Sequence, residues 1–148
     1  MSEYVLNEWV WHDCFGHNGK KRMIETIEAM IAFILGNDKL CLVYDSPFFE
    51  KWAALSKAHS LVQRQFAGIF AARLLWTERC LGRCLRDLPT VPAHLKIKSA
   101  DEYNIRLLLA NPQARLVTTD CKLMDSLKPI RLLYETREAF VQRLLNQE

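Results

Sequence analysis

Leu40-Cys41-Leu42-Val43-Tyr44 is a run of apolar residues of strand length with no polar position on either side of its pleat. An alternating strand presents one face to water, whereas this one presents none, so it belongs in the middle of a sheet covered on both faces. That requirement calls for helices above and below a central sheet. A chain of 148 residues is long enough to supply them within a single domain spanning residues 1–148.

The rest of the chain provides the partners. Tyr4-Val5-Leu6 and Leu116-Val117-Thr118 read as further short strands, and Ile130 to Leu133 as another. Met23, Ile27, Met30, Ile31 and Ile34 recur at helical spacing until Gly36-Asn37 ends the helix. Asp45-Ser46-Pro47 opens a second helix. Val62, Phe66, Ile69, Phe70, Leu74 and Leu81 predict a third, from Leu61 to about Arg86. Leu88 to Lys96 contains two prolines and reads as a loop. Ser99 and Glu102 match a capping box for a helix running to about Ala110, before Asn111-Pro112 stops it. Thr136 caps a last helix with Phe140, Leu144 and Leu145. Strands joined through helices are parallel, which predicts a three-layer α/β/α fold around a central, mainly parallel sheet.

Composition narrows the class. Half the residues are hydrophobic and a quarter charged, the balance of a globular domain, and a net charge of +3 permits a polyanionic partner without requiring one. Five cysteines, an odd number scattered through regular elements, predict a reducing, cytoplasmic setting rather than a disulfide framework. The opening segment carries Glu3 and no basic region, and Glu25 and Glu28 interrupt the most apolar helix, so neither a signal peptide nor a membrane span is expected.

In open parallel sheets, chemistry gathers beyond the carboxyl ends of the strands. Asn7 and Glu8 follow the first strand, Asp45 the second and Asp120 the third, while Asp101 starts the helix leading into that third strand. Carboxylates converging on one edge repel one another unless a cation sits among them, and hard oxygen donors suit Mg²⁺ or Mn²⁺. Asp101-Glu102-Tyr103 opening a helix, an apolar Leu107-Leu108-Leu109-Ala110 run, a turn and Leu116-Val117-Thr118-Thr119-Asp120 together resemble the C-terminal half of PIN-domain nucleases. Many toxin ribonucleases have that fold.

The resemblance, most specific over Ser99 to Leu127, implies a PIN-like fold and a divalent-metal-dependent endoribonuclease. It implies a site of Asp101, Asp120, Asn7 and Asp45 or Glu50, with Thr118 as the hydroxyl two residues before an acidic ligand. Asn7 stands where the family has an aspartate, which leaves Glu8 or Asp13 to substitute. RNA is the implied substrate, with an antitoxin protein and a homodimer as implied partners. Trp9, Trp11, Trp52 and Trp76 are candidates for an interface.

The positions of Arg79, Arg83 and Arg86 on the expected helix predict one basic ridge for RNA, with Lys20-Lys21-Arg22 adding charge at the start of the first helix. The simpler roles for these groups are helix capping for Asp45 and Asp120, a first-turn position favoured by the helix dipole for Asp101, and a solvated face for the arginines. The alternative function is a PIN-like module that binds or regulates without hydrolysis, which Asn7 favours. A weaker one is nucleotide binding at Gly16-His17-Asn18-Gly19-Lys20. That loop has neither the glycine spacing nor the hydroxyl residue of a P-loop. His12, Cys14 and His17 lack a fourth ligand for zinc.

Overall fold

A computed structural model describes residues 2–146. Five strands, β1 (Glu3–Leu6), β2 (Lys39–Val43), β3 (Cys80–Arg83), β4 (Arg115–Thr118) and β5 (Leu133–Thr136), form one parallel sheet in the order β3-β2-β1-β4-β5. The helices are α1 (Trp9–Cys14), α2 (Lys20–Leu35), α3 (Pro47–Leu55), α4 (Leu61–Phe70), α5 (Glu102–Ala110), α6 (Cys121–Leu127) and α7 (Arg137–Leu145). The three-layer α/β/α expectation is met. Among the described residues no helix is long and apolar enough to cross a membrane.

The strand order follows from which runs are apolar on both faces. Tyr4–Leu6, Leu40–Val43 and Leu116–Thr118 are buried throughout and occupy the centre, whereas β3 and β5 are only partly buried and form the edges. The connections from β1 to β2 and β2 to β3 step one way, and the chain then crosses back over β2 and β1 to lay down β4 and β5. Right-handed crossovers therefore put α1 to α4 on one face and α5 and α6 on the other. The order of connection reverses between the parallel neighbours β1 and β4, and a crevice opens there beyond their carboxyl ends. The core on the α2 and α7 side stacks Tyr4, Phe33 and Phe140 edge to edge, with centroids 5.3 to 5.8 Å apart.

Four sequence expectations are corrected. The helix expected from Leu61 to Arg86 ends much earlier: α4 passes into one wider π-type turn, Ala71–Leu75, and the chain then turns into β3. Arg79, Arg83 and Arg86 consequently share no ridge, for Arg79 precedes β3, Arg83 ends it and Arg86 lies in a short 3₁₀ turn. The last strand begins at Leu133, because Lys128 to Arg131 are used in a turn in which Arg131 takes a left-handed φ of 57°. The capping box is absent as well. Ser99–Asp101 form a 3₁₀ turn and Asp101 itself stands at the N-cap of α5, its side chain making no cap bond.

Candidate active site at the sheet reversal

Register brings the site together. Leu6 pairs with Val117, so Asn7 emerges beside Thr118, and the Asn7 amide donates to the Thr118 hydroxyl at 3.1 Å. The same hydroxyl accepts the Asp120 N–H at 3.1 Å, which turns the chain at the end of β4 and aims Asp120 back over the sheet edge. Asp120 Oδ1 then caps α6, accepting the N–H groups of Lys122 and Leu123 at 3.0 and 3.2 Å. Trp9 completes the frame, its buried indole N–H donating to Val117 O at 2.8 Å.

These residues border a cavity of about 370 Å³ lined by Asn7, Glu8, His12, Arg22, Asp101 and Asp120, with Trp9, Asn18 and Thr119 filling the gaps. Asp101 is half-buried, and burial followed by the nearby Asp120 charge raises its pKa, with Lys98 opposing. Burial also raises the pKa of Glu8. Lys51, 3.7 Å away, offsets this, and the charges of Asp101 and Glu50 add to it. Burial and the Lys51 ammonium depress the pKa of His12, whose Nε2 lies 3.5 Å from Lys51 Nζ.

Four of the expected residues, Asn7, Glu8, Asp101 and Asp120, thus share one opening. Asp45 does not join them. Its carboxylate accepts the Leu85 N–H at 2.8 Å, beside a different cavity, while Ser46 rather than Asp45 caps α3. Glu50 is exposed and acts on the site only through its charge on Glu8. Asp13 is fully buried outside the cavity lining, bonded to Asn18, Arg22, Thr26 and Arg137. Arg79 spends its guanidinium on the carbonyls of Phe33, Ile34 and Asp38, and Lys20 is exposed outside the cavity. Trp9 and Trp11 are core residues and Trp52 is half-buried, which leaves Trp76 as the exposed tryptophan. The sequence raised His12 as a zinc candidate, Asn18 within the glycine loop and Arg22 within a basic cluster, but placed none of them with the carboxylates. His12 comes from α1, Asn18 from the loop after it and Arg22 from the first turn of α2, and the packing of these elements brings them to the crevice.

The donor set suits an open two-carboxylate metal site. Asp101 accepts no hydrogen bond from the described residues and Asp120 engages only Oδ1. Mg²⁺ is commonly held by one or two carboxylates together with water and substrate phosphate, and a divalent ion would relieve the Asp120 repulsion that adds to burial in raising the Asp101 pKa. Asn7 contributes differently. Its Oδ1 already accepts the Glu8 N–H at 2.7 Å and the Asn104 amide at 3.4 Å, so both lone pairs are used and the side chain acts as a bracket. Among the described residues no three His, Cys, Asp or Glu side chains gather closely enough to hold an ion by themselves. Cys14 in particular is fully buried. Compared with models of protein families and with curated protein sequences, the chain matches none.

Proposed function

We propose that the chain is a PIN-like, divalent-metal-dependent endoribonuclease whose site is the crevice between β1 and β4. The observation that carries this reading is the convergence of Asp101 and Asp120 on one open cavity at the reversal of a parallel sheet. Asp101 and Asp120 would hold Mg²⁺ or Mn²⁺, which when bound supplies an activated water and charge stabilisation at a phosphodiester. The chain's own part is positioning. Thr118 and the α6 cap fix Asp120, and Asn7 clamps the two strand ends together. Glu8, neutralised in part by Lys51, presents a further carboxyl oxygen at the rim, while Arg22, held by the buried Asp13, offers a guanidinium to a substrate phosphate. The same reading carries with it an antitoxin partner, a homodimer with Trp76 as an exposed aromatic, and a cytoplasmic setting.

A second reading is favoured by Asn7. With its oxygen engaged, Glu8 tied to Lys51, and no three metal-ligating side chains gathered closely enough among the described residues, the crevice suits an RNA-binding or protein-binding module without hydrolysis. One assay separates the two: single-stranded RNA incubated with Mn²⁺ and either wild type or Asp120→Asn. Asparagine is itself a good N-cap, so the variant keeps α6. The nuclease reading expects a loss of at least about 100-fold. Equal cleavage by both proteins would overturn the site, and no cleavage by either would favour the module.

A further inference from the structure

The Asp101 and Asp120 side chains are shared by a second, smaller cavity of about 90 Å³ on the far side of the pair, lined by Lys96, Ile97, Lys98, Lys122, Leu123 and Ser126. The two cavities abut at those carboxylates, so the crevice continues past the candidate site instead of ending in it.

Its construction is legible from the residues. The segment before α5 is tied down by Arg106, whose guanidinium donates to the carbonyls of Leu85, Leu88 and Pro89 at 2.8 to 3.0 Å. Ile97 packs against the core, which leaves its neighbours Lys96 and Lys98 exposed on either side. Lys122 is exposed at the start of α6, next to the cap that holds Asp120. None of these three lysines forms an ion pair among the described residues, even though two carboxylates lie in the same wall. Three ammonium groups against the Asp101 and Asp120 carboxylates leave a local positive excess, and flexible, strongly hydrated point charges suit a polymer of phosphates more than one planar anion.

We propose that Lys96, Lys98 and Lys122 form a phosphate-binding arm that takes the backbone of a single-stranded RNA on one side of the Asp101–Asp120 pair. This deepens the nuclease reading and rests on it only for the position of the cut. An RNA strand entering along the arm continues past the carboxylates toward Arg22 and Asn18 in the larger cavity, so the chain is gripped on both sides of the bond and cleavage is internal. The arm also takes over the role expected of Arg79, Arg83 and Arg86.

The test uses the full chain with Lys96→Gln, Lys98→Gln and Lys122→Gln combined, and Arg83→Gln with Arg86→Gln as the control. Binding of a fluorescent single-stranded RNA of about twelve nucleotides is followed by anisotropy in EDTA across a salt series. The triple variant is expected to bind at least about 10-fold more weakly and to lose about 2 from the slope of log affinity against log salt, with unchanged thermal unfolding. The control is expected to match wild type. Unchanged affinity and slope in the triple variant would overturn the arm, as would displacement of the RNA by oligoglutamate of equal length at equal concentration. The Mn²⁺ cleavage assay keeps the two ideas apart. Lysine-dependent binding without cleavage leaves the arm standing and the nuclease reading fallen. Cleavage of the same RNA by the triple variant with an unchanged KM does the reverse.

Discussion

The Asn7 side-chain amide donates to the Thr118 hydroxyl at 3.1 Å, joining residues 111 positions apart at the ends of two neighbouring central strands. Because that hydroxyl also receives the Asp120 N–H, one buried threonine links the first strand to the carboxylate at the far end of the chain's third apolar run. The uncharged residue at position 7 is thus an organiser of the site. Its Oδ1 leaves no lone pair for a metal, but its Nδ2 fixes the strand ends that present Asp120.

Asn7→Asp removes that donor and adds a carboxylate near Glu8, Asp101 and Asp120. In chelator the variant is expected to lose about 1–2 kcal/mol, from the lost hydrogen bond and from like-charge repulsion. Excess Mn²⁺ is expected to raise its melting temperature by several degrees more than that of wild type. Thermal unfolding of both proteins with EDTA and with Mn²⁺ measures this. Equal Mn²⁺ responses would mean that no cation binds between these residues.

Asp13 forms the buried counterpart of the site. Fully shielded from water, it takes Arg22 at 3.0 Å, Arg137 at 3.3 Å and the Thr26 hydroxyl at 2.8 Å, pinning α1, α2 and α7 together. Asp13→Asn keeps the shape but leaves two guanidiniums short of charge, one of them nearly buried. The expected cost is about 3 kcal/mol, reduced from the upper range for broken buried pairs because Arg137 keeps Glu25 at 2.7 Å. Urea unfolding should show a lower midpoint with an unchanged slope. A midpoint equal to wild type would refute the hub.

The legible part of this fold was the part written in apolar runs. Leu40–Val43 and Leu116–Thr118 are buried on both faces, and their length and composition marked them as central strands. The edges were not marked in that way. Cys80-Leu81-Gly82-Arg83 continues the helical spacing of the preceding residues, and nothing local shows that the helix must yield to an edge strand pairing with β2. At β5, Ile130 and Leu132 carry the apolar signal but serve the turn, so pairing begins three residues later than Ile130. Asp101 and Asp120 were legible because each follows a local rule for strand ends and helix starts. Asp13 was not, since its partner Arg137 lies 124 positions away. Arg22 at the cavity was hidden for the same reason: only the packing of α2 against α1 and α7 brings it there.

Burial pushes the Cys41 thiol up to about 12, with the Glu3 and Cys80 charges adding, and pushes Cys80 up to about 11. Both thiols are therefore held protonated in the folded chain, whereas in the unfolded chain they ionise near the ordinary value of about 8.5. A raised folded pKa means that this stability is complete below that ordinary value and is lost as pH rises through about 11 to 12. Unfolding free energy is expected to fall steadily from about pH 8.5 upward, and Cys41→Ala to flatten the fall. Thiol labelling at neutral pH should find the exposed Cys121 first, with Cys14 and Cys41 protected. Rapid labelling of Cys41 in the folded protein would contradict its burial.

Arg79 closes the C-terminal end of α2, donating to Ile34 O at 2.6 Å, Phe33 O at 2.8 Å and Asp38 O at 3.0 Å, with the guanidinium 6.0 Å from the Phe33 ring centroid. A cation on the last carbonyls of a helix opposes the negative end of its dipole, and each carbonyl loses a charged donor when it is removed. Arg79→Gln is expected to cost about 2 kcal/mol of stability while leaving RNA affinity unchanged. Arg86→Gln, in an exposed 3₁₀ turn, should change stability by less than about 0.5 kcal/mol. Denaturant unfolding and RNA anisotropy on the two variants check both halves. Loss of RNA affinity in Arg79→Gln without loss of stability would restore the arginine to an RNA-binding surface and contradict its place at the end of α2.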